Sequence, residues 1–403
     1  MARGARVIRA FPGRLGNALA RLGAVTAFAL APAACAQECV RTGAWVAPDA
    51  QGYKELSLGE VLERAARRPV VLLGELHEQP EHHRWQLHTM AALHARRSDM
   101  VLGFEMFPRR VQTVLDRWVA GELSEAEFLK QSDWAQVWGF ETAQYLPLFH
   151  FARMNRIPML ALNVERSLIR EIGRKGFDAL PDGVREGVGR PQAAGSEYLR
   201  ELHAVYREHG ADSKNAPMDD PGFQRFVEGQ LMWDRAMAEA ISGARARYPD
   251  RQVVAVMGRG HTGPGAVPLQ LRALGVSDTM VLLPWDRGAQ CAGLKPGIAD
   301  AVFGVEAQRP GPARAGRPLL GVVLEAVEGG GVRIQRVSEG SVAAQAGLQA
   351  GDIVITIAGR QVWNTSDVVE AVARQAPGTW LPLRVRRADA ELDILAKFPP
   401  QPS

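Results

Sequence analysis

The sequence predicts an α/β fold, a parallel sheet with helices on both faces and a helical insertion, joined to a small, mostly-β domain. Three observations carry that expectation. Five short runs are aliphatic at nearly every position rather than at alternate ones, which marks strands buried on both faces. Segments of helical periodicity lie between them, the alternation expected of a parallel sheet with helical crossovers. Beyond a stretch rich in proline, glycine and arginine the rhythm changes to short strands and turns. With 403 residues the chain has room for two or three such units.

The first 36 residues stand apart. Arg3, Arg6, Arg9, Arg14 and Arg21 occur there without an acidic residue, and an apolar run over 22–36 follows. That run is short for a bilayer span and ends in small residues, so 1–36 is expected to be a signal peptide. Cleavage after Ala36 and lipidation of Cys35, through the imperfect lipobox PAAC, both stay open. Export implies a periplasmic protein, and lipidation would anchor it to the outer membrane. Taking the leader's five arginines from the net charge of +4 leaves the remainder at −1. The basic pI thus belongs to the leader, and with no basic-aromatic stripe elsewhere no nucleic-acid partner is expected. Two cysteines then remain, and an oxidising compartment favours a Cys39–Cys291 disulfide over two buried thiols.

Residues 45–308 read as the first domain. Its strand runs are PVVLLGE (69–75), DMVLGFE (99–105), IPMLALN (157–163), RQVVAVMG (251–258) and DTMVLLPWD (278–286). Apolar periodicity predicts helices over 82–97, 109–118, 125–130, 145–155, 197–208 and 221–247. No strand pattern occurs over 164–248, so this block is read as a helical insertion that could serve as a lid, with a loop over 181–195. RPGPARAGRP (309–318) has the composition of a linker. Over 319–399 follow the runs LLGVVLE, GVRIQRV, DIVITIAG, WLPLRVRR and ELDILAKF, with one helix over 365–375.

This second segment resembles a bacterial-type PDZ domain. Ser341-Val342-Ala343, Ala346-Gly347-Leu348, Gly351-Asp352-Ile353-Val354 and Ile357-Ala358-Gly359 carry the resemblance. Gly347 and Gly351 suit tight turns, and Asp352 can close the turn before an apolar strand. The resemblance implies a peptide groove between the strand after Leu320-Gly321-Val322 and the helix near Ser366–Ala373, filled by strand addition. A PDZ-like fold that only docks on its own first domain is the other reading. An exported PDZ protein invites comparison with serine proteases, but no G-x-S-x-G or G-x-S-G-G turn occurs.

The densest chemistry is GELHEQPEHHRWQLH (74–88), which holds four of the nine histidines. It is not a zincin motif. The histidine after His77-Glu78 falls one residue late for H-E-x-x-H, and Pro80 prevents His77 and His82 from sharing a helix. Position explains it better. Glu75 and His77 follow the first strand run, Glu105 ends the second, Asn163 the third, Arg259 and His261 follow the fourth, and Asp286 ends the fifth. Ligands of open parallel sheets bind beyond the carboxyl ends of the strands. His83, in the first turn after Pro80, leans toward those ends, whereas His82, His88 and His94 read as solvated or partly packed helix residues.

The paired G-x-x-H elements GELH and GRGH, with FEMF (104–107), LALN (160–163) and QLMWDRAMA (230–238), make residues 60–290 resemble the ChaN family. Its members are iron-regulated, haem-binding and often lipid-anchored proteins of the Tiki and erythromycin-esterase-like superfamily. The resemblance marks Glu75, His77, His83, Glu105 and His261 as the site, with Gln230 and Asp234 in support. It implies haem as cofactor, a role in iron uptake, and a tyrosine ligand in a homodimer. Tyr145, Tyr198 and Tyr206 sit in no short motif that singles one out. Phe104, Met106, Phe107, Trp134, Trp138, Phe149 and Trp233 could wall a flat macrocycle or be ordinary core. Covalent haem is excluded, since C-x-x-C-H is absent. The rival is a hydrolase using His77, Glu75, Glu105 and His261. In it His77, His261 and Glu105 would hold a divalent metal ion, or His77 would act as general base. A pure interaction protein acting through the second domain is the third class.

Overall fold

The computed structural model describes residues 39–208, 213–307, 319–327, 331–363, 365–388 and 390–400. The expected signal peptide, Cys35 and the linker 309–318 lie outside the described residues. The first domain is an eight-stranded sheet with helices on both faces. In chain order it comprises β1 (Trp45–Asp49), β2 (Gly52–Leu56), α1 (Leu58–Ala66), β3 (Val70–Glu75), α2 (Pro80–Arg96) and β4 (Met100–Pro108). Then come α3 (Gln112–Ala120), α4 (Glu125–Gln131), α5 (Trp134–Val137), α6 (Thr142–Met154), β5 (Met159–Asn163), α7 (Arg166–Lys175), α8 (Ser196–Glu208) and α9 (Pro221–Arg247). β6 (Gln252–Gly258), α10 (Val267–Ala273), β7 (Thr279–Asp286) and β8 (Ala301–Val305) complete it.

The five aliphatic runs became β3, β4, β5, β6 and β7, and every β3 residue is buried, as a strand covered on both faces requires. Odd β3 positions Val71 and Leu73 join a core with Trp85, Phe104, Trp118 and Phe149, while Val70 and Leu72 are equally buried on the other face. The strand order is β2-β1-β8-β7-β3-β6-β4-β5. From β8 to β5 all pairings are parallel, but β1 joins β8 and β2 antiparallel, an edge hairpin the sequence reading did not expect. Pro48 and the exposed positions of β2 hide it, because neither strand carries an aliphatic run. Among the described residues 164–248 contains no strand, as expected. Its long helix α9 starts at the Asp220 cap and Pro221 and buries Met232, Asp234, Ala236 and Met237. Those buried side chains seat α9 in the domain core. Cys39 and Cys291 form the expected disulfide.

The second domain is an antiparallel sheet of β9 (Val322–Ala326), β10 (Val332–Val337), β11 (Ile353–Ile357), β12 (Arg360–Gln361), β13 (Trp380–Arg387) and β14 (Ala390–Lys397). Two helices, α11 (Val342–Gln345) and α12 (Thr365–Ala373), replace the single one expected. Ser341 caps α11, its hydroxyl accepting the Ala344 N–H. Gly347 and Gly351 adopt φ of +79° and +96°, the left-handed turns proposed for them. Asp352 is buried, accepts the Gln349 N–H and is gripped by both ends of the Arg387 guanidinium at 2.7 and 2.8 Å.

Candidate functional site

Topology brings the scattered residues together. β6 is inserted between β3 and β4, so the loop carrying His261 emerges between Glu75 and His77 on one side and Glu105 on the other. β4 runs past its last pairing with β6 at Phe104, and its pairing with β5 shifts before Pro108. That irregularity delivers Glu105, Met106 and Pro108 to the site. The glycines of the two G-x-x-H elements serve closeness rather than turning, since neither has positive φ. A Cβ on Gly74 would lie 2.2 Å from Leu283 Cδ2, and one on Gly258 only 2.8 Å from His77 Cε1.

Two carboxylate–imidazole pairs flank Glu105. His77 Nδ1 lies 2.8 Å from Glu75 Oε1, and His261 Nδ1 lies 2.7 Å from Asp234 Oδ1. Glu105 accepts the Gly258 N–H at 2.6 Å through Oε2 and holds Oε1 3.5 Å from His261 Nε2. Asn163 donates to the Glu105 carbonyl. Burial opposes a positive charge on His261, but Glu105 and Asp234 outweigh it and raise its pKa to about 9. Burial likewise opposes charge on His77, and the Glu75 contact prevails, so its pKa is raised too. For Glu75 burial works upward, yet hydrogen bonds from His77 and His83 pull its pKa down to about 2.

His83 is a strut behind the cavity wall. Its Nε2 lies 3.1 Å from the His77 carbonyl, and its Nδ1 lies 3.2 Å from Glu75 Oε2 and 3.3 Å from Gln86 Oε1. Its neighbours on both sides are acceptors, which favours the protonated ring, and its pKa is raised although burial opposes it. His82 departs from the expectation of a solvated helix residue. It is 2% exposed, accepts the Leu76 N–H at Nδ1 and donates from Nε2 to Asp286 at 3.0 Å. It thereby ties the ends of β3 and β7. His88 is exposed and His94 partly buried against Phe151, as expected.

A cavity of about 420 Å³ opens at these strand ends, and His77, Glu105, Trp138, Arg166, Trp233 and His261 are among its lining. Of the aromatic and sulfur-bearing residues considered as walls, only Met106, Trp138 and Trp233 reach it; Phe104, Phe107, Trp134 and Phe149 are core. Half-buried Gln230 does not line it. No tyrosine lines it either, though two buried tyrosines missed by sequence reasoning hold its carboxylates. Tyr145 donates to Glu75 at 3.0 Å and Tyr198 to Asp234 at 2.8 Å. Among the described residues no three His, Cys, Asp or Glu side chains are grouped to hold a metal ion.

Residues 61–271 match the model of a family described as haem-binding uptake, Tiki superfamily, ChaN. The chain belongs to the ChaN family. A solved structure described as cofacial heme binding to ChaN of Campylobacter jejuni is 20% identical, with a TM-score of 0.51, over 64% of this chain and 96% of that one. That likeness shows the fold of the ChaN domain. Residues 333–387 match the PDZ domain. The HtrA3 PDZ domain bound to a phage-derived ligand is 26% identical over 20% of this chain and 82% of that one, with a TM-score of 0.18. A serine endoprotease from Yersinia pestis is 24% identical over 21% and 30%, with a TM-score of 0.19. Comparison with curated proteins found no match.

In the PDZ domain β9 ends the strand order, so its outer edge is unpaired among the described strands, and α12 contacts β9. This is the arrangement strand addition needs. Of the three residues expected at the groove, Leu320 points into the core and its carbonyl accepts the Ala343 N–H. Gly321 turns the chain at φ +82°, and Val322 opens the edge strand.

Proposed function

We propose that the ChaN domain binds haem as a cargo at the strand-end cavity and that the PDZ domain recruits a peptide partner, in an exported protein of iron uptake. One observation carries the haem reading. Two imidazoles, His77 and His261, line one cavity with Nδ1 engaged by a carboxylate; Nε2 of His77 is left for a ligand, and Nε2 of His261, 3.5 Å from Glu105 Oε1, would have to give up its proton and that contact to ligate iron. The surroundings fit an iron porphyrin. Trp138, Phe140, Trp233 and Met106 supply apolar wall, and Arg166 and Arg170 supply cations for the propionates. Arg170 has no ion-pair partner among the described residues. When bound, haem would offer its iron to imidazole nitrogen, as in other non-covalent haem sites. The tyrosine ligand and homodimer of the family are not needed by this reading, and no tyrosine of this chain faces the cavity.

Hemin added to purified protein should give a stoichiometric Soret shift that His77→Ala and His261→Ala each weaken. An unshifted spectrum would overturn the proposal. The Glu75–His77 contact favours one second reading, since a carboxylate-oriented imidazole beside a cavity is also a general base. Ester or peptide hydrolysis abolished by His77→Ala, without hemin binding, would establish it.

A further inference from the structure

Each cavity histidine is held by a carboxylate, and each carboxylate is held in turn by a buried phenol. Tyr145 donates its hydroxyl to Glu75 Oε1, the same oxygen that receives His77 Nδ1, and lies 3.4 Å from the His77 carbonyl. Tyr198 donates to Asp234 Oδ2, the oxygen opposite the one engaged by His261. The two chains of contact start from different places in the fold. Tyr145 stands on α6 within the main core, its ring 4.2 Å from that of His83. Tyr198 stands on α8 in a separate cluster with Leu202, Phe223 and Val227. Burial beside a carboxylate raises the pKa of both phenols, so both stay protonated and both are donors.

We infer that Tyr145 and Tyr198 are positioning residues of the cavity, each fixing a carboxylate and, through it, the orientation of the imidazole beyond it, His77 or His261. The physical need is plain. The terminal torsion of a carboxylate is soft, so one imidazole contact leaves its plane free to swing. A second hydrogen bond from a ring locked in core removes that freedom. For Asp234 the phenol takes the other oxygen; for Glu75 the phenol and His77 share Oε1, while Oε2 lies 3.2 Å from His83 Nδ1. Neither tyrosine lines the cavity, so neither touches the ligand directly.

The hemin arm of the test rests on the haem reading; a second arm does not. Tyr145→Phe and Tyr198→Phe keep the ring and remove only the hydroxyl. Each should weaken hemin about 10–100-fold and shift its Soret maximum, as loss of an outer partner does at metal sites. Metal-free protoporphyrin IX, which offers nothing for imidazole to ligate, should bind both variants as it binds the wild type. Equal loss of both porphyrins, or no loss of either, would overturn the inference. In the ligand-free protein the wild type should show downfield imidazole N–H proton signals from His77 and His261. Tyr145→Phe should broaden the first alone and Tyr198→Phe the second alone, with melting temperatures recorded as controls. Unchanged signals would overturn the inference even if hemin proved not to be the ligand, and a wild type blind to hemin would sink only the haem reading.

Discussion

His83 is worth more to the fold than to the ligand. It is buried against Glu75 Oε2, 3.2 Å away, and its loss would leave that buried oxygen without its nearest donor group although His77 and Tyr145 still hold Oε1. His83→Leu should therefore destabilise the ChaN domain by about 1–3 kcal/mol in urea unfolding, whereas His88→Leu at an exposed position should stay within about 0.5 kcal/mol. Equal effects would show that Glu75 does not depend on His83. The imidazoles also set a pH dependence. His77, His83 and His261 all have raised pKa values, so the stability they add is complete below the ordinary value of 6.5 and is lost as pH climbs through the folded values. For His261 the window runs from 6.5 to about 9. Urea midpoints should fall across that window in the wild type and fall less in Asp234→Asn. A flat wild-type profile would mean that His261 is not held as a cation.

At the scale of elements, the close seat of His77 against β6 makes Gly258 a steric determinant of the site. Gly258→Ala would place Cβ 2.8 Å from His77 Cε1 and 3.1 Å from Nε2, closer than such contacts allow, so the ring must leave Glu75 or β6 must shift. Hemin affinity should drop with the fold retained; unchanged affinity would show that the ring has room to spare. Much of this architecture was legible beforehand. β3, β4, β5, β6 and β7 announced themselves because a strand buried on both faces cannot afford a polar position. The helix over 221–247 was read end to end because Asp220 and Pro221 mark its start. That Glu75, His77, Glu105 and His261 converge was legible because strand ends carry them, whereas Asp234 came only with the family resemblance. Tyr145 and Tyr198 were not, since no local pattern says which distant carboxylate a buried phenol will find. α1 was missed despite a signal that could have found it, the Ser57–Glu60 capping box. Phe104, Phe107, Trp134 and Phe149 show the opposite failure, for composition alone does not separate a ligand wall from the core behind it.

For the molecule as a whole, the question is whether haem chemistry needs the PDZ segment. Every residue of the described cavity lies between His77 and His261, and the buried clusters around it draw on residues from Trp45 to Val305. The C-terminal cluster draws on Leu320 to Phe398. Each segment thus has apolar core of its own, which is what separate folding demands. The disulfide also joins two cysteines on the ChaN side of residue 307. A chain of residues 39–307 should therefore fold, keep its disulfide and bind hemin with the wild-type Soret maximum and an affinity within about threefold. The PDZ segment would then act on where the cargo is delivered rather than on whether it is held, and peptide binding should survive in a His77→Ala protein whose hemin binding is weakened. Loss of hemin binding on truncation, with circular dichroism showing a folded remainder, would instead make the second domain part of the haem site.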